Sequence, residues 1–144
     1  PGTIVSCSDY MSFAPKTFID DRMSVFAPLI GNPLLKAISD RSPWPVVADK
    51  IYAQTPGPRF ETRAEVRALR TLGADVVGMT FANEADLLLE RGVELTSFCM
   101  VDNFAHGVSP QPLSGKAFDD LVARNQQKVE DFLRALVDYL ASPD

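Results

Sequence analysis

Histidine and tryptophan occur once each and cysteine twice in these 144 residues, and each scarcity removes a class of function. The one histidine, His106, and two distant cysteines, Cys7 and Cys99, make no zinc-ligand spacing. The same cysteines form neither a CxxC pair nor a disulfide framework, so reduced thiols in a cytoplasmic protein are the expectation. No run approaches the roughly 20 apolar residues of a membrane span. Pro1-Gly2-Thr3-Ile4-Val5 carries no basic segment, so no signal peptide is expected. No Gly-rich dinucleotide fingerprint or Walker pattern is present. Positive charge is short, with Lys+Arg 14 against Asp+Glu 19 and a net charge of −5, which argues against nucleic acid or an anionic membrane as main partner. The remaining composition, 46% hydrophobic and 23% charged, is that of one globular domain or part of a larger one, covering residues 1–144.

The pattern along the chain predicts α/β organisation. A strand is expected over Thr3 to Met11. A Pro-interrupted region from Ser12 to Pro33 follows, and Phe13, Phe18, Phe26, Leu29 and Ile30 suggest that it is packed. Asp20-Asp21 reads as a solvated turn pair. Asn32-Pro33 reads as an N-cap and first helical residue, opening a helix to about Ser39. Trp44 sits in a loop between two prolines. Val46 to Gln54 reads as a strand, and Thr55-Pro56-Gly57-Pro58-Arg59 must be loop, since neither a helix nor an inner strand tolerates both prolines. A helix over Glu61 to Leu72 follows, with Ala64, Ala68, Leu69 and Leu72 as its apolar face and Gly73 past its end. Then come a strand over Asp75 to Thr80, a helix over Asn83 to Arg91, a strand over Val93 to Val101, and a Pro-rich loop over Ser109 to Leu113. The final helix, Gly115 to Leu140, carries Phe118, Leu121, Val122, Asn125, Val129, Phe132, Leu133, Leu136 and Leu140 at helical spacing. Alternation of strand and helix from residue 46 implies a largely parallel sheet.

Ligands in such sheets bind off the carboxyl ends of strands. Three segments sit there: Thr55 to Arg59, Gly78 to Phe81, and Asp102 to Ala105. Glu61 can accept from a ligand N–H, or it can simply complement the dipole of its helix. Thr80 can donate to phosphate at a helix N-terminus, or it can face the cap; Met79 beside it can be core filler. Asn103 offers both a donor and an acceptor to a heterocycle edge, and is equally an ordinary turn residue. His106 beside Gly107 reads as a loop residue more readily than as a base. Spacing alone names no reaction.

The runs Gly57-Pro58-Arg59-Phe60-Glu61-Thr62-Arg63-Ala64-Glu65, Gly73-Ala74-Asp75-Val76-Val77-Gly78-Met79-Thr80 and Asn83-Glu84-Ala85 name a family. With Pro1-Gly2-Thr3-Ile4-Val5 and Pro15-Lys16-Thr17-Phe18, they resemble the trimeric purine nucleoside phosphorylases and methylthioadenosine phosphorylases. The resemblance spans essentially the whole chain but only the C-terminal half of a family member. It implies a three-layer fold, a mostly parallel or mixed twisted sheet flanked by helices, present here as an incomplete half-domain. It implies phosphorolysis of a purine nucleoside to free base and ribose-1-phosphate, with phosphate as co-substrate and no metal or organic cofactor. By the resemblance Phe60 lies against the purine, Glu61 accepts from N1–H, Met79 packs under the ribose and Thr80 donates to phosphate. Asn103 falls where the base is read at O6 and N7, with Asn matching the 6-oxopurine enzymes. Ala105 replaces a second Asp of the adenine-specific members, and Asn-x-Ala resembles the methylthioinosine phosphorylases. Asp102 replaces a common Thr and has no assigned role. The stretch Leu113 to Phe118 offers apolar groups where others place a histidine at the ribose 5′ position, which hints at a 5′-methylthio group. The family's phosphate loop and its Arg-His phosphate clamp belong to the half absent from these residues. The chain is therefore expected to be a fragment, or one subunit of a split enzyme whose partner is a complementary N-terminal-half chain in a trimeric or hexameric assembly. A non-catalytic purine-binding or stabilising pseudo-subunit, and a nucleoside hydrolase of related fold, are the alternatives.

Overall fold

The computed structural model describes residues 1–19, 21–23, 25, 33–111 and 114–142. Asp20, Phe26, Leu29, Ile30, the Asn32 cap and Leu113 lie outside them. The elements are β1 (Thr3–Met11), α1 (Pro33–Arg41), β2 (Val46–Gln54), α2 (Arg63–Thr71), β3 (Val76–Gly78), α3 (Phe81–Glu90), β4 (Cys99–Val101) and α4 (Gly115–Ala141).

The strands form a sheet in the order β3-β2-β1-β4. β1 and β2 run parallel, as do β2 and β3, while β4 runs antiparallel to β1 with Thr3 opposite Val101 and Val5 opposite Cys99. The sheet is mixed: β2 and β3 are parallel, as the alternation from residue 46 implies, but β4, which the same alternation placed in the parallel part, runs antiparallel to β1.

Alternation along β1 creates two cores, one on each face of the sheet. Ile4 packs with Ile38 of α1 and Phe132 of α4. Val5 and Cys7 pack with Tyr52 on the other face, beside Phe81 of α3. Helices on both faces make the three layers. Ile38 is 0% exposed, so truncating it to Ala is expected to cost about 2–5 kcal/mol. A hydroxyl joins the short edge strand to its neighbour. Ser97 Oγ accepts from Cys7 N–H at 3.0 Å and donates to Cys7 O at 3.3 Å.

Several expectations are corrected. Helix α2 begins at Arg63, because Thr62 caps it in a reciprocal box with Glu65. Glu61 therefore precedes the helix and is not a first-turn acid. Helix α3 begins two residues earlier than expected, and β3 and β4 are shorter. Residues 93–98 contribute no ladder beyond the Ser97 side chain. Phe13 and Phe18, expected to be packed, are exposed. The apolar stripe of α4 is buried at Phe132 and, with a polar side chain, at Asn125, while Val122, Leu133 and Leu140 stay exposed. On α2 the residue that is buried is Val66, and Leu72 is exposed.

Candidate active site

A groove of about 1170 Å³ opens along the sheet face of Val5 and Tyr52, beneath α2. Its walls include Phe60, Glu61, Met79, Thr80, Asn103 and His106. Because β4 is antiparallel, Asp102 leaves the sheet beside the amino end of β1, not beside the carboxyl ends of β2 and β3. The groove consequently runs along the sheet instead of sitting at one edge, and the 102–106 turn reaches back to Glu61.

The turn after β2 has two prolines and few backbone donors, so side chains fix it. Thr55 N–H donates to Gly78 O at 2.9 Å, joining the turn to the end of β3. Gly57 has φ +64, and a Cβ there would lie 2.7 Å from Met79 Sδ. Only glycine lets Met79 pack this closely against the turn. Arg59 grips Glu65 with two bonds of 2.8 Å and donates to Phe60 O at 3.1 Å. The Arg59 guanidinium and the Thr62 N–H hold the Glu65 carboxyl down to about 2.

Glu61 is 7% exposed. Its Oε1 accepts from the Thr55 hydroxyl at 2.6 Å, and among the described residues Oε2 accepts no hydrogen bond. A buried carboxylate with one oxygen oriented and the other open is arranged to receive a ligand N–H. Phe60 beside it meets His106 and Phe118 edge to face, with centroids 6.2 and 5.5 Å apart.

At the β3–α3 junction, Gly78 is required because a Cβ would lie 2.2 Å from Tyr52 Oη. Gln54 Oε1 accepts from Ala82 N–H at 3.0 Å and so caps α3 from the neighbouring strand. Thr80 occupies the N-cap position, yet its side chain makes no capping bond and the residue is exposed. The reading of Thr80 as a mere cap is thus set aside. Burial raises the Tyr52 hydroxyl above the ordinary tyrosine range, so it stays neutral beneath this junction.

Asn103 is half-buried and donates to Phe104 O at 3.0 Å. Ala105 is half-buried and lines the groove. Asp102 accepts from Asn125 Nδ2 at 2.9 Å, which anchors the turn to α4 and gives Asp102 the role the sequence left open. His106 Nδ1 lies 2.7 Å from Glu61 O. The carbonyl can only accept, so Nδ1 carries the hydrogen. Cys99 lines the groove too; its hydrogen bond with Cys7 pushes the buried Cys7 thiol up and the Cys99 thiol down.

The structure brings Phe60, Glu61, Met79, Thr80, Asn103 and Ala105 to one groove. Sequence reasoning gave Thr55 no individual role and read His106 as a loop residue, because local spacing does not display their contacts with Glu61. Phe118, at the end of the apolar stretch from Leu113, also lines the groove. Among the described residues no group of three His, Cys, Asp or Glu could hold a metal ion, and no helix is long and apolar enough to cross a membrane.

Residues 9–138 match the sequence model of the phosphorylase superfamily. A "Probable S-methyl-5'-thioinosine phosphorylase" from Methanopyrus kandleri is 33% identical over 97% of this chain and 58% of its own length. A "Probable 6-oxopurine nucleoside phosphorylase" from Thermococcus kodakarensis is 44% identical over 62% of this chain and 33% of its own. The chain covers 58% of the length of the first of these relatives and 33% of the second. Among solved structures, methylthioadenosine phosphorylase from Schistosoma mansoni in complex with adenine aligns over 100% of this chain and 61% of its own, with a TM-score of 0.74. At 20% identity that likeness concerns the fold alone.

Proposed function

The chain belongs to the phosphorylase superfamily, and from that premise we propose that it carries the purine-reading part of a nucleoside phosphorylase site selective for 6-oxopurines. The observation that carries this reading is the buried Glu61, in the wall of a groove that Asn103 also lines, with Oε1 held by Thr55 and Oε2 without a hydrogen-bond partner among the described residues. Hypoxanthine and guanine bear an N1–H that Glu61 can accept and an O6 to which the Asn103 amide can donate. Adenine presents an acceptor at N1, which mismatches Glu61, and a donor at position 6, which Asn103 meets only by turning its amide oxygen toward it. The relatives named for thioinosine and 6-oxopurine nucleosides support the same choice.

In the proposed reaction the bond between ribose C1′ and purine N9 breaks, and its electron pair goes to the purine. Asn103 donates to the leaving base as it gains electron density, Glu61 holds its N1–H, and a proton from solvent at N7 completes the neutral base. A phosphate oxygen forms the new bond to C1′ from the opposite face, giving ribose-1-phosphate. Thr80, exposed at the N-terminus of α3, donates to that phosphate, helped by the helix end. Met79 supports the ribose. Phe118, beside Phe60, favours an apolar 5′ substituent such as methylthio. No metal or organic cofactor takes part.

The remaining phosphate ligands lie outside these residues, so turnover needs a complementary half and an oligomeric assembly. The exposed Val122, Leu133, Val137 and Leu140 of α4 supply apolar surface for that association. Calorimetric titration of the chain with hypoxanthine and adenine tests the reading. Hypoxanthine is expected to bind at least about tenfold more tightly, since one unmatched pair of buried polar groups suffices for that ratio. Equal affinity, or a preference for adenine, refutes it.

A further inference from the structure

We propose that His106 is a positioning residue for base selectivity, which its Nδ1–H exerts by holding the carbonyl of Glu61; this rests on the 6-oxopurine reading above. The turn that carries Phe60 and Glu61 has no backbone partner of its own between residues 56 and 61 among the described residues. Its two functional carbonyls are held by side chains instead: Phe60 O by Arg59 at 3.1 Å and Glu61 O by His106 at 2.7 Å. The Thr55 hydroxyl fixes the Glu61 carboxylate at one end, and the imidazole fixes its backbone at the other. The same imidazole meets the Phe60 ring edge to face. His106 also lies three residues after Asn103, so one bond ties the N1-reading carboxylate to the turn that reads O6.

The local sequence brings the imidazole there. Gly107 has φ +83, and a Cβ on it would lie 3.1 Å from Arg63 Cγ. The chain passes close against the first residue of α2, directly after Glu61 and Thr62, and a side chain at 107 would push it away. The contact also fixes the tautomer. With the hydrogen on Nδ1, neutral His106 presents an unprotonated Nε2.

The chain has a single histidine, so its imidazole nitrogens can be observed without assignment ambiguity. Nitrogen-15 spectra of the neutral imidazole are expected to show Nδ1 protonated and Nε2 bare. Titrations of wild type, His106→Ala, His106→Asn and His106→Gln with hypoxanthine and with adenine read the function. Loss of one hydrogen bond predicts hypoxanthine affinity about 3- to 10-fold lower in His106→Ala, with adenine affinity unchanged. Asn presents an N–H near the Nδ1 position and restores the ratio; Gln presents it near the Nε2 position and does not. Protonated Nε2, or an unchanged hypoxanthine-to-adenine ratio in His106→Ala, overturns the inference. So does an equal loss for both bases, which would mark a merely structural role. Wild type that binds neither base refutes the 6-oxopurine reading itself and takes the positioning role with it, and that outcome is separate because it appears before any variant is made.

Discussion

Replacing Glu61 by Gln changes one oxygen for an NH₂ and leaves the shape of the side chain intact. The Thr55 hydroxyl donates to Oε1 at 2.6 Å, and the amide oxygen of Gln can accept the same bond. That choice puts the NH₂ where Oε2 was, facing the ligand. Hypoxanthine then loses a hydrogen bond to a charged acceptor, worth about 1.5–3 kcal/mol, and becomes roughly 10- to 150-fold weaker. Adenine gains a donor opposite its N1, worth about 0.5–1.5 kcal/mol, and becomes roughly 2- to 10-fold tighter. The hypoxanthine-to-adenine ratio should fall by roughly 20- to 1,500-fold, the product of the two shifts. Paired calorimetric titrations give both affinities, and thermal unfolding checks the fold. The melting temperature is expected to move by less than about 4 °C, because the Thr55 bond survives. Equal weakening of both bases in a well-folded variant would refute the reasoning, since the carboxylate would then be acting as a brace and not as a reader of N1.

Asn103→Asp should shift relative affinity from hypoxanthine toward adenine, because an ionised Asp cannot donate to O6 but can accept from the 6-amino group; an unchanged ratio in the same titrations contradicts its assignment. The Glu65 carboxyl, held at about 2 by Arg59, is lowered on folding from about 4.5. Its contribution is complete above about 4.5 and is lost as the pH falls through about 2. Its carbon-13 titration midpoint should rise toward the ordinary range in Arg59→Ala, and because the pair is exposed, added salt should weaken the effect. The 144-residue chain alone should not convert inosine and phosphate to hypoxanthine; turnover at an ordinary enzymatic rate of about 1–10³ per second would show that it holds the whole phosphate site.

The sequence signalled some of this directly. β1 and β2 begin and end where their alternation and the following Pro-Gly-Pro turn place them. Thr62-Arg63-Ala64-Glu65 is a legible capping box, and with its use Glu61 falls outside the helix at once. Other features were not local. The start of α3 at Phe81 is set by Gln54, a residue on β2 that supplies the cap from 28 positions away. β4 is short because its pairing with β1 ends where the Ser97 side chain replaces the backbone ladder. The stripe on α4 is visible as periodicity, but periodicity does not say what covers it, and much of it is uncovered within this chain. The site residues came from motifs carried by a family resemblance. The groups that hold them, Thr55 and His106, came from geometry, because a hydroxyl six residues from Glu61 and an imidazole 45 residues away leave no periodic trace.

The most direct measurement is a crystal structure of the chain grown with hypoxanthine. The base is predicted to lie against Phe60 in the groove, with N1 about 2.7–3.1 Å from Glu61 Oε2 and donating its hydrogen to it, and O6 within reach of the Asn103 amide, while Thr55 keeps its bond to Oε1. Hypoxanthine found elsewhere, or bound in the groove with its N1–H turned away from Glu61, would contradict the account.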